Sequence, residues 1–286
     1  MTQIKNSTNT WQRVQQIPRA YIYLLLAGVV VWQLLFPISL PTRPSAPSIG
    51  VYDAIRSVPE GKLIVLSTDW DASTQAETGP QTQAILHACF ESGKRVAILN
   101  LSAPMGAKLA NDIALRVAEK YGASYGVDWC NWGYKIGGSN VLLTLVRNIP
   151  EAIGVDFYGK RVTELPMMSN VRTARDIGLV IEITGLSGVI ESWIGLVQGP
   201  YQTPFASGVT AVMAPGYYPF LDSGQMKGML VGAKGAAEME VLVRRPDGGI
   251  KFMMAQSWAH VLIILLIVLG NLGYIMARRR PVEEGR

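Results

Sequence analysis

Two apolar stretches bracket the chain, at residues 20–38 (AYIYLLLAGVVVWQLLFPI) and 253–276 (MMAQSWAHVLIILLIVLGNLGYIM), and neither holds Asp, Glu, Lys or Arg. At about 1.5 Å per helical residue, each is long enough for roughly 30 Å of bilayer hydrocarbon. The pattern predicts a two-pass membrane protein with both ends on one side. It divides the chain into a tail (1–19), a transmembrane helix (20–38), a Pro/Ser-rich spacer (39–50), a domain (51–250), a second transmembrane helix (253–276) and a basic tail (277–286). The first stretch is longer than a signal-peptide core and no A-x-A site follows it, so it reads as an uncleaved signal anchor.

Lysines and arginines beside the spans set the orientation. Lys5, Arg13 and Arg19 precede the first, and Arg278, Arg279 and Arg280 follow the second; the domain side has Arg43, Arg244, Arg245 and Lys251. The triple arginine is the strongest stop signal. The expectation is a cell-membrane protein with cytoplasmic termini and an extracytoplasmic domain.

The formal charge of +5 belongs to these flanks, because residues 45–250 carry 17 basic against 19 acidic side chains. A near-neutral domain has no footprint for nucleic acid. The expected partners are the lipid bilayer and other membrane proteins, or a second copy through the second span. Cys89 and Cys130 could pair outside the cytoplasm or serve as small buried hydrophobes; Cys89 falls mid-helix, where core is the simpler reading.

Within the domain, KLIVLS (62–67), RVAILNL (95–101), a weaker run near 127–132, IGLVIEI (177–183) and SGVTAVM (207–213) read as strands. Periodic segments at 81–91, 103–122, 140–147, 187–197 and 225–242 read as helices between and after them. The alternation predicts an α/β fold: a doubly wound, mostly parallel sheet of about five strands, flanked by one N-terminal and one C-terminal transmembrane helix. Residues 154–173 fit no regular element and are expected as a surface insertion.

Ligands of open parallel sheets bind beyond the strands' carboxyl ends. The candidates there are Asp69, Asp71, Ser102, Lys135, Thr184, Ser187 and Glu191. Asp69 and Asp71 are the one metal candidate: neighbouring carboxylates can hold a hard cation such as Mg²⁺. A strand ending in D-x-D resembles the haloacid dehalogenase phosphatases over those residues alone, and no catalytic role is carried over. A turn cap is the simpler reading of Asp71 or Ser73, and a helix N-cap of Ser187. His87 falls inside a helix and His260 inside the second span, so no base stands ready for a nucleophile. No dinucleotide or Walker A loop is present, and no cofactor is expected. In the second span, His260, Gly270, Asn271 and Gly273 suggest a helix packed against a neighbour. The expected function is a non-enzymatic binding or assembly subunit of a membrane complex. The alternative is a metal-dependent hydrolase or transferase acting on a phosphorylated or envelope substrate.

Overall fold

The computed structural model describes residues 17–36 and 42–278. The chain falls into two units, residues 1–40 with 251–286 and residues 41–250. In the first, the N-terminal apolar stretch forms helix α1 (Arg19–Leu35), opened by Pro18 and 17 residues long. At about 1.5 Å per residue it falls short of a full hydrocarbon thickness. Residues 37–38 of the expected span, and the flanking Lys5 and Arg13, lie outside the described residues. Gln33 is the buried residue of α1.

The second unit is built on one six-stranded sheet of β1 (Leu63–Asp69), β2 (Arg95–Asn100), β3 (Trp129–Tyr134), β4 (Ile177–Thr184), β5 (Phe205–Val209) and β6 (Met229–Val231). The order is β3-β2-β1-β4-β5-β6 and every pairing is parallel. That is a Rossmann-like arrangement, and the order reverses between β1 and β4. The strands are buried on both faces, which is why they read as continuous apolar runs and not as alternating ones.

One face packs Ile64, Leu66, Ile98 and Ile181 against α2 (Ala46–Arg56), α3 (Gln75–Glu91) and α4 (Pro104–Tyr121). The other packs Val65, Leu99, Trp132 and Phe205 under α5 (Ser139–Leu145), α6 (Ile149–Ile153), α7 (Val189–Trp193) and α8 (Ala214–Asp222). Helix α7 continues into a π turn (Ile194–Gln198). Helix α9 (Gly232–Leu242) returns to the first face, where its Met239 is buried.

Several expectations are corrected. The helix expected over 225–242 is two elements: β6 pairs with β5 through Ser207↔Met229 to Val209↔Val231, and α9 starts only at Gly232. Three residues at a sheet edge carry too little periodicity to stand out, so six strands are found where about five were expected. Residues 154–173 lie mostly at the surface, as expected, but they are anchored into the core. Their turns bury Val162, Leu165, Met167, Met168 and Val171 in the core beneath β3 and β4. The spacer read over 39–50 is already helical from Ala46, with Ser48 buried. Cys89 and Cys130 are both free. They belong to cores on opposite faces of the sheet, which rules out pairing.

The C-terminal stretch lies in α10 (Gly248–Arg278), 31 residues long. Among the described residues it is the one helix long and apolar enough to cross a membrane. His260, Gly270 and Asn271 are exposed on it and Gly273 is buried. Arg279 and Arg280 lie outside the described residues.

Helix α4 crosses the ends of β1 and β2 at Gly106, where an added Cβ would stand 2.5 Å from the carbonyl oxygens of Thr68 and Trp70. Backbone at that distance cannot yield as a side chain can. Gly106→Ala is expected to lower the unfolding free energy by about 1–3 kcal/mol, the usual range for overpacking. Thermal melts of the detergent-solubilised full chain, followed by tryptophan fluorescence, check it.

Candidate functional site

β1 and β2 each end on a completely buried acidic or amide side chain, Asp69 and Asn100, and β3 carries a third, Asn131, in its middle. Each holds a neighbouring connection. Asp69 Oδ1 accepts from the backbone N–H groups of Leu101 (2.8 Å) and Ser102 (2.5 Å), and Oδ2 accepts from the Ser67 hydroxyl (2.8 Å). Asn100 donates through Nδ2 to the Thr68 carbonyl and accepts from Ala103 N–H at 3.0 Å. Asn131 donates to the Ala107 carbonyl (3.0 Å) and accepts from Gly133 N–H (2.8 Å). The ends of β1 and β2, the middle of β3 and the start of α4 are thereby tied together.

On β4, Thr184 completes the set at the point where strand order reverses. Its hydroxyl donates to the Asp69 carbonyl at 2.9 Å and accepts from Leu186 N–H at 2.9 Å. Two residues earlier in the register, Ser67 pairs with Glu182 and Glu182 with Ser207. Glu182 is fully buried, and neither of its carboxyl oxygens has a hydrogen-bond partner among the described residues. Burial is the largest influence on it, followed by the neighbouring Asp69 charge, and together they push its pKa well above the ordinary range. Glu182 therefore holds its proton where a surface glutamate would not. Burial also raises Asp69, opposed by the N–H and O–H groups that donate to it.

Above these groups lies a crevice of about 830 Å³. Its wall is apolar, from Ala72, Ala103, Pro104, Met105 and Leu186. Polar groups sit among them, from Asp71, Ser73, Ser102 and Lys108. A smaller cavity of about 240 Å³ adjoins it through Ser102 and is lined by Ser139, Ser187 and Ser192.

Comparison with models of protein families, with curated proteins and with solved structures gives no match. The site is therefore read from its own geometry.

Of the residues singled out by sequence, Asp69, Ser102 and Thr184 converge at the reversal point. Asp71 does not join Asp69: it lies at the surface, and its Oδ1 accepts from Ser73 N–H (2.8 Å) and the Ser73 hydroxyl (2.6 Å). Those donors hold its carboxyl below the ordinary range. Ser187 is exposed, and the cap of α7 is Gly188, which corrects the N-cap reading. Lys135 stands after β3 and donates to the Val155 carbonyl at 2.7 Å; partial burial lowers its pKa. Glu191 faces Tyr217, whose hydroxyl is pushed up to about 12 by burial first and by Glu191 next. No group of three or more His, Cys, Asp or Glu side chains is placed to hold a metal among the described residues.

His87 is buried with Nδ1 3.0 Å from the Tyr121 hydroxyl, and burial lowers it to about 4. A second hollow, of about 570 Å³, lies at the opposite pole near Lys62, Lys94 and Arg95. These cations are engaged with the backbone carbonyls of Arg175, Val58 and Met167. Sequence reasoning passed over Glu182, although a carboxylate inside IGLVIEI, a strand expected to be covered on both faces, was the available signal.

Two outcomes follow. Asp69→Ala leaves the Leu101 and Ser102 N–H groups without an acceptor, at about 1–3 kcal/mol for each; Asp69→Asn keeps an acceptor and loses less, read from melts of the two variants. Glu182 stays protonated in the fold while the unfolded chain ionises near its ordinary value of 4.5. Its contribution is thus complete at low pH and lost as pH rises from there toward the native value. Glu182→Gln is expected to flatten that decline, and at pH 8 to be no less stable than the parent.

Proposed function

We propose that the chain is a membrane-anchored binding subunit whose ligand seat is the crevice at the ends of β1, β2 and β4. The observation that carries this reading is the make-up of the crevice: an apolar wall with a few polar groups at its edge, the usual construction of a site for an amphipathic molecule. The groups beneath it are engaged in holding loops. Asp69 accepts three hydrogen bonds and Asp71 two.

Anchoring is read as two-pass, with α1 and α10 as the membrane segments. Both are apolar and fall within one unit of the chain. The basic flanks favour cytoplasmic termini and an extracytoplasmic domain. His260, Gly270 and Asn271 are exposed along α10, and in lipid polar and small residues of this kind favour a second helix. This supports assembly with another membrane protein or a second copy. A metal-dependent hydrolase or transferase would need Asp69 and Asp71 to converge on a cation such as Mg²⁺. Their separate hydrogen-bond sets favour the binding reading.

Native mass spectrometry of the full chain, extracted from its own membrane in gentle detergent, tests the proposal. A small-molecule adduct is expected on the parent and is expected to be lost in Ala72→Trp, which fills the crevice from an exposed position. An adduct unchanged in that variant, or no adduct in the parent, overturns it.

A further inference from the structure

We propose that the two hollows at the strand ends form one seat, and that its ligand is an uncharged amphiphile with a hydroxyl-rich head. The head lies among Ser102, Ser139, Ser187 and Ser192, and the apolar part lies against Met105 and Leu186. This rests on the binding reading above and names the chemistry of the same seat.

The first observation is how the chain encloses the space. Strand order reverses between β1 and β4, and the connections after β2 and β4 stand on either side of that point. Both hollows lie between these two connections. The larger takes Ser102, Met105 and Leu186 from them, and the smaller takes Ser102, Ser187 and Val189. The connection after β1 bounds the larger hollow through Ala72 and Ser73, and the start of α5 bounds the smaller through Ser139. In the sheet, β3 and β4 are separated by β2 and β1. The helices that follow them nevertheless meet, with the Ser139 and Ser192 hydroxyls 3.2 Å apart. That pair joins two walls of the smaller hollow.

The second observation is the division of polarity between the hollows. The larger is walled by apolar side chains, among them Met105, whose unbranched thioether adapts to irregular apolar shapes. The smaller is lined by four serines and by no charged side chain. A hydroxyl both donates and accepts. Ser192 donates to the Gly188 carbonyl at 2.8 Å and keeps lone pairs that accept. Such a lining matches partners that also do both, the hydroxyls of a polyol or a sugar. Its volume of about 240 Å³ equals roughly eight water molecules at about 30 Å³ each, room for a small head group.

The third observation is charge. The one cation lining either hollow, Lys108, is bonded to Asp112 at 2.8 Å. Asp71 stands at the edge of the larger hollow, and Glu191 precedes Ser192 on α7. An anionic head would arrive beside these acids with no uncommitted cation among the lining residues, and desolvating a charge without a partner is costly. An ammonium head would need a carboxylate inside the smaller hollow, and its lining holds none. An uncharged head meets neither penalty.

The test uses the full chain in phosphatidylcholine nanodiscs and three water-soluble probes that share one apolar ring: phenyl β-glucoside, phenyl phosphate and benzylammonium. Each is titrated by saturation-transfer NMR on the parent and on Ala72→Trp, so that binding outside the seat is subtracted. The glucoside is expected to bind the seat about ten-fold more tightly than either charged probe, because its head enters without an unmet charge. Ser139→Ala combined with Ser192→Ala, with a melt matching the parent's, is expected to weaken the glucoside about ten-fold through lost hydrogen bonds. A charged probe bound at the seat as tightly as the glucoside overturns the head-group assignment. So does a glucoside affinity unchanged in the serine variant; in both cases loss of binding in Ala72→Trp leaves the seat itself standing. Glucoside binding equal in the parent and in Ala72→Trp brings down the seat and the binding reading with it. No glucoside binding in the parent also overturns the assignment, and the adduct seen by native mass spectrometry then decides whether the binding reading survives.

Discussion

The buried carboxyl of Asp69 is the constraint on which the strand-end architecture depends. A carboxylate at the carboxyl end of a central strand, with no exposure to water, needs donors from its surroundings. Here they come from the next connection in the sheet, through Leu101 and Ser102, and from Ser67 on its own strand. The loop after β2 is thereby fixed to the end of β1. Asn100 and Asn131 repeat the device one and two strands outward, and Gly106 lets α4 lie against the oxygen atoms they leave in place. Without that stitching the crevice above Ser102 and Leu186 would have no fixed floor.

Beneath it runs a polar row across the face of the sheet, Ser67, Glu182 and Ser207 in register. A protonated carboxyl here costs less than an ionised one, and its neighbour Asp69 is the better supplied with donors. Two acids of different environment then divide the work: one keeps its proton, the other ties down a loop. The Trp193 indole, on α7, lies against Glu182.

Much of the domain was legible in the residues. Apolar runs gave four strands close to where they lie, while the fifth, expected over 207–213, runs over Phe205–Val209 and gives way to a turn; the doubly wound class followed from their alternation with helices. What escaped has physical causes. β6 is three residues at an edge, too short for periodicity, and the glycine- and alanine-rich sequence after it blurs the boundary with α9. Residues 154–173 lack regular periodicity because they cover the core with successive tight turns, each burying one or two side chains. At the site, Asp69 and Thr184 could be placed by strand-end position alone. The parting of Asp69 from Asp71 could not, since it depends on which of two residues in a turn points inward. Glu182 was visible as a charge in an apolar run, yet its neighbours come from β1, β5 and α7, far apart in sequence.

Cys89 and Cys130 sit on opposite sides of the sheet, each sealed within its own core. No oxidant can join them while the strands stand between, and neither thiol meets solvent. The folded domain is therefore indifferent to redox surroundings, and its thiols would look the same from either side of a cell's boundary.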